Sequence, residues 1–190
     1  MPYDISHLLH GCEPNWRPHF RFPRTALPAK LRPWLLETGS LTRRMQCVCP
    51  GRFAVRVLSQ GWDKPQPSEM LALGMRAAGR AIVREVLLTC DGEPWVYARS
   101  VIPATTLRGH ERRLNHLGSR SLGSYLFAQP SLRRERFDLV RIGSGEPGYV
   151  AATGAEKGPD IWGRRSVFYV HGRPLLVGEV FLPALPLGDA

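Results

Sequence analysis

Two charged side chains sit where their neighbours are apolar, and they are the first candidates for chemistry. In the run from Ala81 to Cys90, alternation puts Ile82, Arg84, Val86, Leu88 and Cys90 on one side, and Ala81, Val83, Glu85, Leu87 and Thr89 on the other. Arg84 is then a lone cation among aliphatic groups. In the run from Leu175 to Leu182, Glu179 shares a side with Leu175, Val177 and Phe181, as a lone carboxylate. Buried and unpaired, either charge would be strongly destabilising, so each needs a partner. A structural Arg84–Glu179 ion pair, or a strand-end position that lets either side chain reach water, satisfies the pattern. So does an enclosed pocket in which Arg84 holds an anionic ligand and Glu179 supplies a hydrogen bond or a proton. Strand alternation leaves these alternatives open.

Other reactive residue types carry less. Cys47-x-Cys49 is too closely spaced for the usual C-x-x-C ligand turn and His7 and His10 are distant, so a metal site is not expected and the four cysteines read as reduced thiols. His110 and His116 lie six residues apart, too far along a helix to clamp a metal, and read as surface groups. The sequence has no Walker A loop, G-x-G-x-x-G, H-E-x-x-H or G-x-S-x-G, which removes the sequence support for nucleotide hydrolysis, dinucleotide redox chemistry, zincin proteolysis and elbow-type acyl transfer. No cofactor is expected.

The elements that must position Arg84 and Glu179 are two hairpins. Ala81 to Cys90 turns at Asp91-Gly92-Glu93-Pro94 into Trp95 to Ile102, and Ser166 to His171 turns through Gly172-Arg173-Pro174 into Leu175 to Leu182. Arg52 to Leu58 alternates well enough for a further strand, and Gly61 to Pro67 reads as loop. Ser40 can cap a helix from Leu41 towards Cys47, Thr106 one over Leu107 to Leu117 closed by Gly118, and a short helix follows over Leu122 to Ala128. The expected fold is α+β: a single domain with an antiparallel sheet and helices packed on one face. Residues 1–30 read as a proline-rich N-terminal extension, and the glycines between 143 and 160 as a surface insertion.

Composition bounds the rest. The chain has 190 residues, 43% of them hydrophobic, which suits one domain. Its net charge of +10 is almost all arginine, since only Lys30, Lys64 and Lys157 are lysines. That balance favours anionic partners, with arginine suited to bidentate capture of carboxylate or phosphate. Between 108 and 141 lie eight arginines against Glu111, Glu135 and Asp138. Arg112-Arg113 and Arg133-Arg134 read as solvated helix and loop faces, and no RNP-like or helix-turn-helix signature accompanies them, so nucleic acid is not the expected partner. No apolar run approaches a membrane span, and Met1-Pro2-Tyr3-Asp4 lacks the order of a secretory signal. Pro18, Pro23, Pro28 and Pro33 would break a transit helix. The expectation is a cytoplasmic protein without stable membrane insertion.

Several blocks together carry a family resemblance: Arg84-Glu85-Val86-Leu87-Leu88-Thr89-Cys90-Asp91-Gly92-Glu93-Pro94-Trp95, Arg99-Ser100-Val101-Ile102-Pro103, Leu117-Gly118, Leu122-Gly123-Ser124-Tyr125-Leu126-Phe127, Trp162-Gly163-Arg164-Arg165-Ser166, and Pro174 through Pro183. In this order, over about residues 31–187, the sequence resembles the chorismate pyruvate-lyases, which make 4-hydroxybenzoate and pyruvate from chorismate at the entry to ubiquinone biosynthesis. The resemblance implies a monomeric, six-stranded antiparallel sheet with helices on one side and a ligand sealed beneath two flaps. It carries the family's ligand-contacting arginine onto Arg84, its leucine onto Leu122 and its glutamate onto Glu179. The family's contacting methionine falls on Leu41, a departure of similar side-chain volume. The Gly-rich stretch before Trp162 and the proline-rich start are longer than in compact members. It further implies chorismate as substrate, 4-hydroxybenzoate as product, and Arg84 and Glu179 as the groups acting on substrate, with Leu41 and Leu122 as walls. The competing class is a non-catalytic module of the same fold that binds a small aromatic acid, as in effector domains of transcription regulators. The roughly 30 residues before the matching region are too few for an attached winged helix.

Overall fold

The computed structural model describes residues 13–146 and 148–187 of the chain. Its elements in order are β1 (Arg17–Pro18), α1 (Arg32–Leu35), α2 (Leu41–Val48), β2 (Phe53–Asp63), α3 (Pro67–Ala72), β3 (Ala81–Cys90), β4 (Glu93–Pro103), a 3₁₀ helix (Gly109–His116), α4 (Leu122–Phe127), β5 (Arg133–Ile142), α5 (Tyr149–Thr153), β6 (Ile161–Val170) and β7 (Arg173–Phe181). The strands form one antiparallel sheet in the order β1-β5-β6-β7-β4-β3-β2.

Both expected hairpins are present, and their turn chemistry explains them. Asp91 and Gly92 have φ of 48° and 88°, and His171 and Gly172 have 50° and 73°, so each two-residue turn places both residues in the left-handed region that matches strand twist. Ser40 caps α2 by accepting from the Arg43 N–H, and Ser121 caps α4 by accepting from the Ser124 N–H.

Several expectations need correction, among them the loop over Gly61 to Pro67, whose first three residues extend β2 and whose last opens α3. The sheet has seven strands rather than six: the two-residue β1, within the proline-rich segment, pairs Arg17 with Leu139 and Pro18 with Asp138. Helices cover both faces rather than one. β3 is buried along its whole length, so its reverse side also needs cover. There α3 leads into Leu73, which packs with Ala81, Val101, Val167 and Leu176, while Tyr149 and Ala152 of α5 pack with Leu87, Tyr97, Val140 and Val180. The glycine-containing stretch before β6 thus holds a short helix with two buried residues.

Thr106 does not cap an α-helix. Its hydroxyl donates to the Pro174 carbonyl, and the residues beyond form the 3₁₀ helix instead. Cys49 and Cys90, expected as separate thiols, are joined in a disulfide, because the residue that ends α2 packs over the last residue of β3. Cys47 is an exposed free thiol, and Cys12 lies outside the described residues, as do His7 and His10. Among the described residues no cluster of three or more His, Cys, Asp or Glu could hold a metal, and no helix is long and apolar enough to cross a membrane.

Candidate functional site

Strand register builds the site row by row. On the face covered by α2 and α4, Arg84 of β3 stands beside Ser100 of β4, Val177 of β7 and Ser166 of β6. The next row runs Val86, Ala98, Glu179 and Arg164. Small residues at Ala98 and Ser100 leave room in the middle of the sheet, while larger side chains stand at either side. The space left between sheet and helices, its mouth included, is about 590 Å³, and its lining joins Arg84 and Glu179 to Leu41, Thr42, Leu122, Leu126, Arg134, Arg164 and Phe168. All four residues singled out from the sequence, Leu41, Arg84, Leu122 and Glu179, line this one cavity.

Arg84 and Glu179 are not each other's partner. Arg84 donates from Nη1 to Gln60 Oε1 at 2.6 Å and from Nη2 to the Arg120 carbonyl at 3.2 Å. Neither acceptor carries a charge, and burial pulls its pKa below the usual arginine value. Glu179 is instead ion-paired through Oε2 to Nε of Arg164, at 2.6 Å. Arg164, 2% exposed, is held further by the carbonyls of Trp34 and Glu37 at the end of α1. Oε1 of Glu179 meets no hydrogen-bond donor among the described residues.

Leu41 and Leu122 are the first residues of α2 and α4, 3% and 7% exposed, and close the cavity from above. The two helices meet there. Thr42 Oγ1 lies 2.7 Å from Ser121 Oγ, and a Cβ added at Gly123 would sit 2.9 Å from Thr42 Oγ1. Glycine at 123 is what allows the approach.

One lining residue is an arginine that the sequence pattern places elsewhere. Arg134, expected on a solvated helix or loop face, lies on β5 and reaches the cavity. Its Nε donates to Ser166 Oγ at 2.9 Å and its Nη1 to the carbonyls of Glu37 and Thr38 at 2.9 and 3.3 Å. The guanidinium stands 5.3 Å from the Phe137 ring and 5.4 Å from Phe168. Burial, and then the neighbouring Arg164, push its pKa down to about 10 against the opposing pull of Glu179 and Glu37, so it stays charged at neutral pH. Arg112 and Arg113 are exposed, as expected, and so are His110 and His116.

The reverse face of the same strands carries a second ionic cluster. Arg99 binds Glu69 through Nε at 2.7 Å and Nη2 at 3.1 Å, and binds Glu85 through Nη1 at 2.9 Å. Tyr97 Oη and Ser59 Oγ also donate to Glu85. Burial and the adjacent Glu85 push the Tyr97 phenol up, and although burial alone would lower the Arg99 pKa, Glu69 and Glu85 hold it up. This cluster ties α3 to β2, β3 and β4 and takes no part in the cavity.

The family model and the sequence relatives agree with one another, and the solved structures add the fold. A family model described as "Chorismate lyase" matches residues 21–187. A protein of Azoarcus sp. named as a probable chorismate pyruvate-lyase is 48% identical over 171 residues, covering 87% of this chain and 89% of its own. One of Methylococcus capsulatus with the same name is 49% identical over 154 residues, covering 80% and 94%. Among solved structures, the effector domain of PhnF from Mycobacterium smegmatis superposes with a TM-score of 0.55 at 16% identity, over 78% of this chain and 91% of its own. The ligand-binding domain of a putative GntR-family regulator from Bordetella bronchiseptica gives 0.54 at 18%, over 74% and 89%. At those identities the structural likenesses speak for the fold alone.

Proposed function

The chain belongs to the chorismate lyase family, and we infer from that membership and from the cavity that it is a chorismate pyruvate-lyase, yielding 4-hydroxybenzoate and pyruvate. The observation that carries the reading is the placement of Arg84 and Glu179 in one cavity, with Arg84 free of any carboxylate partner among the described residues and one oxygen of Glu179 open. The reaction breaks the ether bond between the ring and the enolpyruvyl oxygen. The ring carbon bearing the hydroxyl loses its hydrogen, that C–H electron pair completes the aromatic ring, and the departing enolate takes up a proton to become pyruvate. Nothing is oxidised by an outside agent, so orientation and charge placement are what the protein supplies.

In this reading Arg84 grips the ring carboxylate with the charge its neutral partners leave uncompensated. Glu179 accepts a hydrogen bond from the ring hydroxyl through Oε1, while Arg164 fixes its other oxygen. Leu41 and Leu122 press on the ring, with leucine filling the volume that the family's methionine would take. The ligand enters and leaves when α2 and α4 part at the Thr42–Ser121 contact. The catalytic unit is residues 31–187, with β1 of the preceding segment completing its sheet edge, working as a cytoplasmic monomer without a cofactor. A binding module that retains an aromatic acid without converting it is disfavoured, because the near-full-length relatives are named as lyases.

The test is to mix purified, chelator-treated protein with chorismate and quantify 4-hydroxybenzoate and pyruvate separately against a protein-free control. Equal amounts of both above the control are expected. Retention of 4-hydroxybenzoate without any turnover would replace the lyase by the binding module.

A further inference from the structure

The cavity carries more positive charge than its product needs. Three arginines line it, Arg84, Arg134 and Arg164, against one carboxylate, Glu179, which Arg164 already binds. Arg84 and Arg134 therefore remain as two guanidiniums without a carboxylate partner among the described residues. Chorismate carries two carboxylates, one on the ring and one on the enolpyruvyl group. 4-Hydroxybenzoate keeps only the first.

The two free cations are also set apart. Arg84 is on β3 and Arg134 on β5, with β4, β7 and β6 between them. Four strand spacings put the backbones roughly 19 Å apart, so side chains reaching inward from both sides leave a gap of small-molecule length. Glu179, on β7, lies between them. Arg134 is aimed by its surroundings: Ser166 fixes Nε, the Glu37 and Thr38 carbonyls fix Nη1, and Phe137 and Phe168 flank the guanidinium. Nη2 is left without an acceptor among the described residues.

We propose that Arg134 is a substrate-binding residue that takes the enolpyruvyl carboxylate, the one that departs with pyruvate, while Arg84 holds the ring carboxylate that stays. This deepens the lyase reading and rests on it. Arg134 thereby discriminates substrate from product: once the ether bond breaks and pyruvate leaves, 4-hydroxybenzoate retains no group for it. Ser166 and the carbonyls at the end of α1 are positioning groups, because they act through the arginine.

The experiment compares a diacid with a monoacid at equilibrium. The probes are 3-(carboxymethoxy)-4-hydroxybenzoate, which presents both carboxylates, and 3-methoxy-4-hydroxybenzoate, which presents only the ring carboxylate. Arg134→Gln should weaken the diacid by roughly thirtyfold or more and the monoacid by less than threefold, with kcat/KM for chorismate falling in parallel with the diacid. Arg84→Gln should weaken both probes. Because Arg134 also anchors the α1–α2 connection, Ser166→Ala serves as a second variant that keeps the charge; a three- to tenfold loss confined to diacid and chorismate is expected. Equal losses for both probes in Arg134→Gln, or wild-type affinity for the diacid, would overturn the assignment. Failure of the lyase reading is seen separately, as absence of pyruvate from the wild-type protein.

Discussion

The contact between α2 and α4 allows a substitution whose cost to binding can be read apart from its effect on the helix. At Gly123, an alanine Cβ would lie 2.9 Å from Thr42 Oγ1, 3.5 Å from Ser121 Oγ and 3.7 Å from Thr42 Cβ. Only the first contact is too short, and it exists only when the two helices are together. Overpacking of this kind disfavours the closed arrangement by about 1–3 kcal/mol. At about 1.4 kcal/mol per decade, Gly123→Ala should weaken 4-hydroxybenzoate by roughly 5- to 150-fold. The same substitution within α4 raises helix propensity by up to about 1 kcal/mol whether or not the helices touch. That gain offsets part of the overpacking, so the melting temperature should fall by less than the clash alone would impose, while affinity falls by the full factor. Thr42→Ala removes the offending oxygen and also the Thr42–Ser121 hydrogen bond, worth about 1 kcal/mol, or roughly fivefold. The double variant should then bind about as well as Thr42→Ala alone, since the clash has gone. Isothermal titration on the four proteins reads this cycle. Unchanged affinity in Gly123→Ala, or losses that multiply in the double variant, would refute a steric latch at this contact.

Four further outcomes follow from the geometry. Cys49→Ser with Cys90→Ser opens a cross-link spanning 41 residues, which should remove about 4 kcal/mol of stability by chain entropy; wild-type protein should lose the same amount of urea resistance on adding a reductant, and a variant as stable as oxidised wild type would contradict it. Burial raises the Glu111 pKa, but the His171 hydrogen bond, a backbone N–H and Arg173 outweigh it and hold the carboxyl below its ordinary value. A folded-state pKa below the unfolded one contributes stability above the unfolded pKa, lost as pH falls through the folded one. Glu111→Gln should thus lower the urea midpoint at pH 7 and progressively less below about pH 4, and a gap independent of pH would exclude that linkage. Arg84→Gln should lower kcat/KM and product affinity together by roughly a hundredfold, whereas Glu179→Gln keeps a hydrogen-bonding oxygen but not the charge; full activity there would show that ionisation is not required.

The hairpins were legible because period-2 alternation and Asp91-Gly92 or Gly172 are local signals, and the same alternation exposed Arg84 and Glu179. Arg134 was not legible for the corresponding reason. It sits among Arg133, Glu135 and Arg136, where a strand offers no apolar contrast, and a register shift between Arg134 and Phe137 blurs the period further. The reverse-face cluster did leave a signal: Glu85 is as lone among Val83 and Leu87 as Arg84 is on its side. Counting back from the Asp91-Gly92 turn, with one irregularity between Leu88 and Thr89, sets Glu85 opposite Arg99. Glu69 gave no such clue, since its partner depends on α3 packing beneath the sheet, and the Cys49–Cys90 bond depends likewise on how α2 lies across β3. Long-range packing, which no window of sequence contains, decides both.

The two ionic clusters lie on opposite faces of the same strands, and the difference between them separates scaffold from site. On the reverse face Arg99 meets Glu69 with two nitrogens and Glu85 with a third, and Tyr97 and Ser59 turn their hydroxyls to Glu85. Such a network satisfies itself and holds α3 against the sheet. On the cavity face Arg84 rests on an amide and a carbonyl, Arg134 on a hydroxyl and two carbonyls, and Glu179 keeps one oxygen open. Selection for stability alone would place carboxylates beside those arginines, as it has a few ångströms away through the sheet. Leaving both charges unmatched destabilises the empty protein, and a ligand with two carboxylates relieves the imbalance at both ends of the cavity at once.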